Sequence, residues 1–308
     1  PINKVYIDSI LNSGNFFLQN KSKWFNAITI STNDSSNISI LNTISFVQQI
    51  KNVQYAPIYY EDDYSYLIPS TKLANLSTSN ISHYPYGSTY NQMNLHQVQR
   101  LHEFGFNGQG MHIAVIDAGF LNVNSMRGLE HLFNENRILS TRDFVNNEES
   151  VYEDHQHGAA VLSIIAGDIP GEYYGSSPKA SFHLLRSEDS NSELIVEEDN
   201  WIAAAEYADS AGVDIINTSL GYTLFDDSTQ NHTYADLDGN TTRIAIASDI
   251  AASKGMLLVT SAGNNGESDW RYISSPADAD SILTIAAVNE NGDRGGFSSV
   301  GPSSDGDV

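Results

Sequence analysis

The sequence predicts an α/β protein: a three-layer sandwich with a mostly parallel central sheet, preceded by a small α+β module. From about residue 91, short apolar runs alternate with longer helical patterns. This alternation is typical of parallel strands that are covered by helices on both faces. Before residue 57 the elements are fewer, and a polar stretch follows them. The length of 308 residues suits one large domain with a small companion.

Composition excludes several classes of function. There are 38 acidic and 15 basic side chains, which give a formal charge of −23. Nucleic acids and anionic membranes both attract basic patches, so we expect neither among the partners. The chain has no cysteine, which excludes a disulfide framework, thiolate metal sites and a cysteine nucleophile. No apolar run reaches the roughly 18 residues that a membrane-spanning helix needs.

Residues 1–56 are predicted to form the α+β module. Residues 24–30 alternate between apolar and polar side chains, which favours a half-buried strand. Residues 37–50 follow a cluster of capping residues and are predicted to be a short helix. A second strand is predicted at residues 53–56.

Residues 57–90 are predicted to be a linker. Tyrosines surround a short acidic run, serine, threonine and asparagine follow, and no helical or strand period persists. Because proteases cut exposed flexible segments, we expect a maturation cleavage between residues 59 and 84. The chain begins at Pro1 rather than Met and ends in a turn-like stretch, so we expect an internal piece of a longer product.

Residues 91–308 are predicted to form the sheet domain. Its elements are expected in this order: strand 112–116, helix 158–166, strand 182–185, helix 195–211, strand 213–217, helix 242–254, and strands 256–260 and 282–288. Gly212 and Gly255 are predicted to end two of the helices. Ligands of such sheets bind beyond the carboxyl ends of the strands, so the residues there are the candidates for function.

Two candidates are titratable. Asp117 ends the first strand after an apolar run, where a carboxylate is costly to bury without a hydrogen-bond partner. A helix cap or a turn would also explain this aspartate. His157 opens the next helix, and Gly158 beside it allows a close backbone approach. A polar surface position would also explain this histidine.

Two further candidates lie at later strand ends. Asn264 directly follows a predicted strand, where its amide could donate to a developing oxyanion. An Asn-Gly turn at residues 265–266 would also explain this stretch. Ser219, Leu220 and Gly221 follow another strand, where exposed backbone could pair with an extended peptide. A glycine turn that leaves the sheet is the alternative.

In chain order, these residues resemble the subtilisin-like serine proteases (peptidase family S8), whose triad runs Asp, His, Ser. The segments that carry the resemblance are Pro85-Tyr86-Gly87, residues 105–110, Val115-Ile116-Asp117-Ala118-Gly119, His157-Gly158, Ser219-Leu220-Gly221 and Ala262-Gly263-Asn264. The resemblance runs from about Tyr86 to Val308. Residues 1–56, with the phrase Ser45-Phe46-Val47, resemble the back part of the family's propeptide.

The resemblance implies a secreted serine endopeptidase that acts on polypeptides through an acyl-enzyme, with its own propeptide as an intramolecular inhibitor. It makes Asp117 the residue that orients and supports the imidazolium, and His157 the general base and then the general acid. It makes Asn264 the oxyanion donor. Residues 219–221 become the edge that pairs with substrate. Ala118 departs from the usual Thr or Ser and removes a possible hydroxyl.

The nucleophile is the missing part. In such proteins the serine lies in a Gly-Thr-Ser motif roughly sixty to seventy residues after the oxyanion asparagine. From Asn264 that position falls past Val308, and the sequence contains no such motif. Ser298 and Ser299 lie in a segment that resembles a structural loop of the family rather than its nucleophile. The resemblance therefore implies that a polypeptide ending at Val308 is inactive.

The sequence also allows alternative hypotheses about function and metal binding. A non-catalytic relative could bind extended peptides through the same sheet edge. A nucleotide-binding protein is disfavoured, because the glycine-rich residues 105–110 precede a strand instead of following one. No cofactor is expected to be required. The resemblance allows structural calcium, and residues 236–240 are similar to a calcium loop without its downstream glutamate. A metal site at Asp154, His155 and His157 is the remaining alternative, although the spacing is not that of a helical zinc motif.

Overall fold

The computed structural model describes residues 2–53 and 86–306. The predicted cleavage segment and most of the strand predicted at 53–56 lie outside these residues, and Val53 is not in a strand. The elements of the described residues, in chain order, are α1 (Lys4–Ser13), β1 (Phe17–Ser22), β2 (Ala27–Ser31), α2 (Ile38–Leu41), α3 (Tyr90–Leu95), α4 (Val98–Glu103), β3 (His112–Asp117), α5 (Glu130–Asn134), β4 (Ile138–Asp143), α6 (His157–Ala166), β5 (Asp168–Ile169), β6 (Tyr173–Tyr174), β7 (Ser181–Arg186), α7 (Val196–Ala211), β8 (Ile215–Thr218), α8 (Arg243–Ser253), β9 (Leu257–Ser261) and β10 (Leu283–Ile285).

The central sheet has six strands in the order β10-β9-β8-β3-β7-β4, and every pair is parallel. The first strand of the domain in chain order, β3, therefore lies inside the sheet between β7 and β8. After β3, the chain forms β4 and β7 on one side of this strand, and it then forms β8, β9 and β10 on the other side. The carboxyl end of β3 is thus at the point where the strand order reverses, which is where parallel sheets bind ligands.

Helices cover both faces of the sheet, which confirms the predicted three-layer α/β sandwich. Along β3, Ile113 and Val115 face a core that contains α6, whereas Ala114 and Ile116 face a core that contains α7 and α8. Successive side chains of a strand point to opposite faces, so a strand buried on both sides is apolar at every position. This is why residues 113–116 form an unbroken apolar run.

The helix ends follow the predicted signals. Gly212 follows α7 with a φ of +74°, and Gly255 lies just past α8 with a φ of +99°. Glycine adopts this left-handed conformation without steric cost. Thr242 precedes α8, and its hydroxyl accepts a hydrogen bond from the amide of Ala245 at 3.3 Å. No helix of the described residues is long and apolar enough to cross a bilayer.

The N-terminal module differs more from the prediction. The helix expected over residues 37–50 is wrong beyond Leu41, where polar residues and turns replace it. The alternating residues 24–30 contribute a strand only from Ala27 onward, and β1 and α1 were not predicted. Strands β1 and β2 pair as an antiparallel hairpin that lies on α7.

Candidate active site

The centre of the site is a hydrogen bond between Asp117 and His157. Asp117 is the last residue of β3, and His157 is the first residue of α6. The imidazole Nδ1 donates to the carboxylate Oδ1 at 2.7 Å. The aspartate is fully buried, whereas 44% of the histidine side chain is exposed. Among the described residues, Nε2 of His157 has no hydrogen-bond partner, so this nitrogen is available to a substrate or a nucleophile.

Two glycines permit this approach of helix and strand. A Cβ atom at Gly158 would lie 2.5 Å from the carbonyl oxygen of Gly119 and 2.9 Å from Cβ of Asp117. A Cβ atom at Gly119 would meet the backbone of His155 at 2.6 Å. Any larger residue at either position would separate the histidine from the aspartate. The close approach that the sequence predicted at Gly158 is therefore present.

Only one of the two carboxylate oxygens of Asp117 accepts hydrogen bonds from the described residues. Its Oδ1 accepts hydrogen bonds from His157 and, at 2.8 Å, from the amide of Ala118. Its Oδ2 is buried and has no partner among the described residues. A threonine or serine at residue 118 would carry a hydroxyl donor beside this carboxylate, and the alanine of this chain has none.

Electrostatics favour the protonated form of His157. The hydrogen bond that His157 donates to Asp117 raises the pKa of the imidazole, burial opposes this shift, and the charges of Asp117 and Glu188 reinforce it. An imidazolium that forms during a reaction is therefore stabilised by the groups around it.

Arg186 contacts the backbone directly after Asp117 and was not identified from the sequence. It ends β7, is 4% exposed, and donates through Nε to the carbonyl oxygen of Ala118 at 3.1 Å. Its Nη1 lies 2.8 Å from Asp143 and 3.2 Å from Asp154. A charged residue at the end of an apolar strand is the same signal that identified Asp117, so it was available in the sequence.

Asn264 lies on the loop after β9 and is exposed. Its side chain makes no hydrogen bond with the described residues, so the amide is free to donate. The loop is held by its neighbours: Gly263 has a φ of +103°, and the amide of Asn265 donates to Oγ of Ser299 at 2.9 Å. The turn at Asn265 and the free amide of Asn264 are thus both present.

Residues 219–221 follow β8. Leu220 is buried, and Gly221 is exposed. Within the described part of the chain, the backbone amides and carbonyls of these three residues make no hydrogen bonds. A Cβ atom at Gly221 would lie 2.8 Å from Cβ of Ser274, which also lies against Gly263. The predicted pairing edge is therefore an unpaired piece of backbone that packs beside the Asn264 loop.

The predicted site residues lie at the carboxyl end of the parallel strands. Asp117, residues 219–221 and Asn264 follow β3, β8 and β9, which are neighbours in the parallel sheet. The structure joins Asp117 and His157 directly. It places Asn264 and the pairing edge at the same carboxyl end without a direct contact to either of them.

The other candidate residues form hydrogen bonds outside this site. Ser298 and Ser299 are both 1% exposed, and their hydroxyls accept backbone amides at 3.0 and 2.9 Å. Asp236 caps the turn at Thr233, accepting from its amide and hydroxyl at 2.7 Å. Over residues 2–53 and 86–306, no three His, Asp or Glu side chains are placed to hold a metal ion.

Comparison with known families gives two matches. The model of the subtilase family matches residues 108–308, and the model of the peptidase S8 propeptide domain of Bacteroidota matches residues 1–63. Among solved structures, MycP1 from Mycobacterium smegmatis aligns with a TM-score of 0.53 and 21% identity, covering 74% of this chain and 63% of that one. At this identity the likeness concerns the fold.

Named relatives agree with the family models. A thermostable alkaline protease of Halalkalibacterium halodurans is 28% identical over 205 residues, which are 66% of this chain and 48% of that protein. A C5a peptidase of Streptococcus pyogenes is 30% identical over 235 residues, covering 63% of this chain and 19% of the peptidase. The chain thus spans half or less of the length of these two relatives. With a propeptide-like segment before the α/β domain that the family model matches, the chain belongs to the subtilase family of peptidases.

Proposed function

We propose that the chain carries the Asp-His part of the triad of a secreted serine endopeptidase, with the nucleophilic serine beyond residue 308. The observation that carries this proposal is the 2.7 Å hydrogen bond from His157 to the fully buried Asp117. A buried carboxylate fixes the tautomer of the imidazole and leaves Nε2 as the acceptor. The names of the two relatives, a protease and a peptidase, support the same activity.

In this proposal the reaction is acyl transfer. Nε2 of His157 takes the proton of the serine hydroxyl while the serine oxygen attacks the scissile carbonyl carbon. The resulting imidazolium is stabilised by Asp117. The side-chain amide of Asn264 and a backbone N–H donate to the oxyanion. His157 then gives its proton to the leaving amine, and water releases the acyl group by the same steps.

The substrate is proposed to be an extended polypeptide. The unpaired backbone of residues 219–221 can add a strand of substrate by main-chain hydrogen bonds, which fix the scissile bond relative to His157. The N-terminal module is proposed to be an intramolecular inhibitor that is removed by cleavage between residues 59 and 84. Structural calcium remains a proposal without a site assigned to it.

Covalent labelling tests the enzyme. A fluorophosphonate reacts only with an activated serine, so we expect it to label the complete gene product that carries this chain and to leave a polypeptide ending at Val308 unlabelled. His157→Gln should abolish labelling of the complete product, because the base is lost. His96→Gln, which changes an exposed histidine away from the site, is the matched control. Labelling of the 308-residue polypeptide would contradict the assignment of the nucleophile.

A non-catalytic peptide-binding protein is the second candidate, and the unpaired edge at residues 219–221 favours it equally. The coding sequence after codon 308 separates the two functions. A Gly-Thr-Ser motif followed by an apolar helical pattern supports the protease. Another residue in the serine position, together with binding of extended peptides, would make the binding function the better account.

A further inference from the structure

A buried cation lies between the segments that carry Asp117 and His157. Arg186 is the last residue of β7, and in the register of the sheet it lies beside Asp117 on one neighbouring strand and beside Asp143 on the other. Its side chain is buried, and a buried charge is costly unless it is paired. The acyl-transfer steps described above do not use this arginine.

The guanidinium joins the two ends of the connection between β4 and α6. Asp143 is the last residue of β4, His157 is the first of α6, and the fully described residues 144–156 between them form neither a helix nor a strand. Nη1 of Arg186 donates to Oδ2 of Asp143 at 2.8 Å and lies 3.2 Å from Oδ1 of Asp154. One nitrogen therefore holds the start of this connection together with a residue three positions before His157.

The same guanidinium also holds the residue after Asp117. Its Nε donates to the carbonyl oxygen of Ala118 at 3.1 Å. The backbone here packs directly against the end of the β4-to-α6 connection, because a Cβ atom at Gly119 would lie 2.6 Å from the amide nitrogen of His155 and 2.9 Å from Cβ of Asp154. A shift of either segment would therefore change the distance between the carboxylate and the imidazole.

Arginine is suited to this set of acceptors. Its Nε and Nη1 belong to one rigid plane, so the carbonyl oxygen of Ala118 and the carboxylate of Asp143 are held at a fixed separation. The carboxylates of Asp143 and Asp154 balance the charge. A lysine carries all its donors on one nitrogen at the end of a flexible stem, and it cannot reproduce this spacing.

We propose that Arg186 is a positioning residue, which sets the geometry of the Asp117–His157 pair by fixing Ala118 and Asp154 to the end of β4. Among the described residues, the guanidinium makes no hydrogen bond with Asp117 or His157, so it acts through the backbone on either side of them. The expected effect on catalysis rests on the proposed function. The expected effect on the hydrogen bond between Asp117 and His157 does not require a nucleophile.

An NMR titration of His157 in the 308-residue chain tests the positioning without catalysis. Arg186→Lys keeps the net charge, so a change in this variant reports geometry. Asp154→Ala removes the more exposed of the two carboxylates, 25% against 0%, and leaves the buried pair of Arg186 and Asp143 in place. In both variants the pKa of His157 should fall towards its ordinary value of about 6.5, because the hydrogen bond to Asp117 is the main cause of its raised value. An unchanged pKa in both variants would overturn the proposal.

Kinetics of the complete gene product, after removal of the propeptide, test the consequence for the reaction. Both variants should lower kcat by about ten- to a hundredfold, since a misplacement of about 1 Å can cost this much, and should leave KM within about twofold. A loss of stability with kcat and the pKa of His157 unchanged would show a structural role only and would also overturn the proposal. No turnover by the wild-type product would contradict the proposed function instead, and the NMR result would still decide the role of Arg186.

Arg137→Lys is the matched control. Arg137 precedes β4 at the opposite end of the sheet, and its side chain is nearly buried. Like Arg186 it bonds to the backbone, because Nη1 donates to the carbonyl oxygens of Pro178 and Ala180, both at 2.7 Å. This variant should leave both kcat and the pKa of His157 at their wild-type values. Equal effects of the two arginine variants would show that loss of any buried arginine disturbs the site.

Discussion

The hydroxyl of Ser22 donates to Oε1 of Glu206 at 2.6 Å, across the interface between the N-terminal hairpin and α7. The same carboxylate accepts the amides of Lys23 at 2.8 Å and Trp24 at 3.1 Å. Glu206 is 9% exposed, so one buried side chain of the sheet domain satisfies three donors at the end of β1. Hydrogen bonds to a charged group contribute more than neutral ones, and this contact is therefore central to docking of the module.

Glu206→Ala is expected to weaken docking of the hairpin by roughly 1–3 kcal/mol, because the buried hydroxyl of Ser22 and the partly buried amides of Lys23 and Trp24 lose their acceptor. Hydrogen exchange at the amides of Lys23 and Trp24 measures this directly and should become faster. Asp209→Asn, on an exposed position of the same helix, should leave both amides protected. Unchanged exchange in the Glu206 variant would show that the hairpin is held by other contacts.

Asp117→Asn is expected to lower the pKa of His157, because the hydrogen bond to the carboxylate is the main cause of its raised value. A general base works only when neutral, so the rate of the complete enzyme should rise with pH through a midpoint above about 6.5, the ordinary value for histidine. In the variant this midpoint should move to lower pH, while kcat falls about ten-thousand-fold. An NMR titration of His157 in the 308-residue chain measures the pKa without catalysis. A pKa that stays in place would contradict the role of Asp117.

Glu197→Gln is expected to stabilise the protein at alkaline pH. The carboxyl has a pKa of about 10 when folded, well above the unfolded value of about 4.3, so folding favours its protonated form. This contribution to stability is complete below about pH 4.3 and is lost as the pH rises towards the folded pKa. The amide stays neutral throughout. The difference in free energy of unfolding should therefore grow between about pH 5 and pH 9, by at most about 1.4 kcal/mol for each pH unit, as measured by urea denaturation.

Ala118→Thr is expected to supply the donor that Oδ2 of Asp117 lacks. Residue 118 is only 2% exposed, so any larger side chain must displace its neighbours, and the hydrogen bond is measured by comparison with a variant of equal size. The threonine variant should exceed that variant in free energy of unfolding by about 1 kcal/mol, because it satisfies a buried charged oxygen. Ala118→Val is the matched control, since valine has the shape of threonine without its hydroxyl. If the two variants have equal stability in urea denaturation, the hydroxyl does not reach the carboxylate.

The sequence was informative where side chains interrupt a strong pattern. Asp117 ends an apolar strand, and Gly212 and Gly255 end helices, so each element could be located without coordinates. The partial burial of Glu188 and Glu193 could not be found in this way. Glu188 and Glu193 lie in a polar stretch that is typical of an exposed loop, and only the fold of β7 and α7 buries them. Periodicity indicates which residues share a face, but not which charged side chains are buried from solvent.

The same limit explains why β1 of the N-terminal module was not predicted. In α1 only Ile7 is buried, and β1 is polar at four of its six positions, as the sequence Phe-Leu-Gln-Asn-Lys-Ser shows. β1 lacks the alternating apolar pattern of an isolated strand, whereas α1 has Ile7, Ile10 and Leu11 at helical spacing, a signal that was available in the sequence. Asn20 donates to Asn200 at 2.7 Å, so part of the hairpin is held by polar contacts with another region.

The position of β3 inside an all-parallel sheet has a kinetic consequence. In the observed register Asp117 lies beside Arg186, and Ile116 lies beside Thr218, about a hundred residues later in the chain. Contacts between such distant residues make folding slow, because closing a long loop costs conformational entropy before the strand pairing contributes favourable free energy. The α1-to-β2 unit is local by comparison and can form early. The pairing of β1 with β2 involves no strand of the large sheet, so it does not wait for the long loops to close.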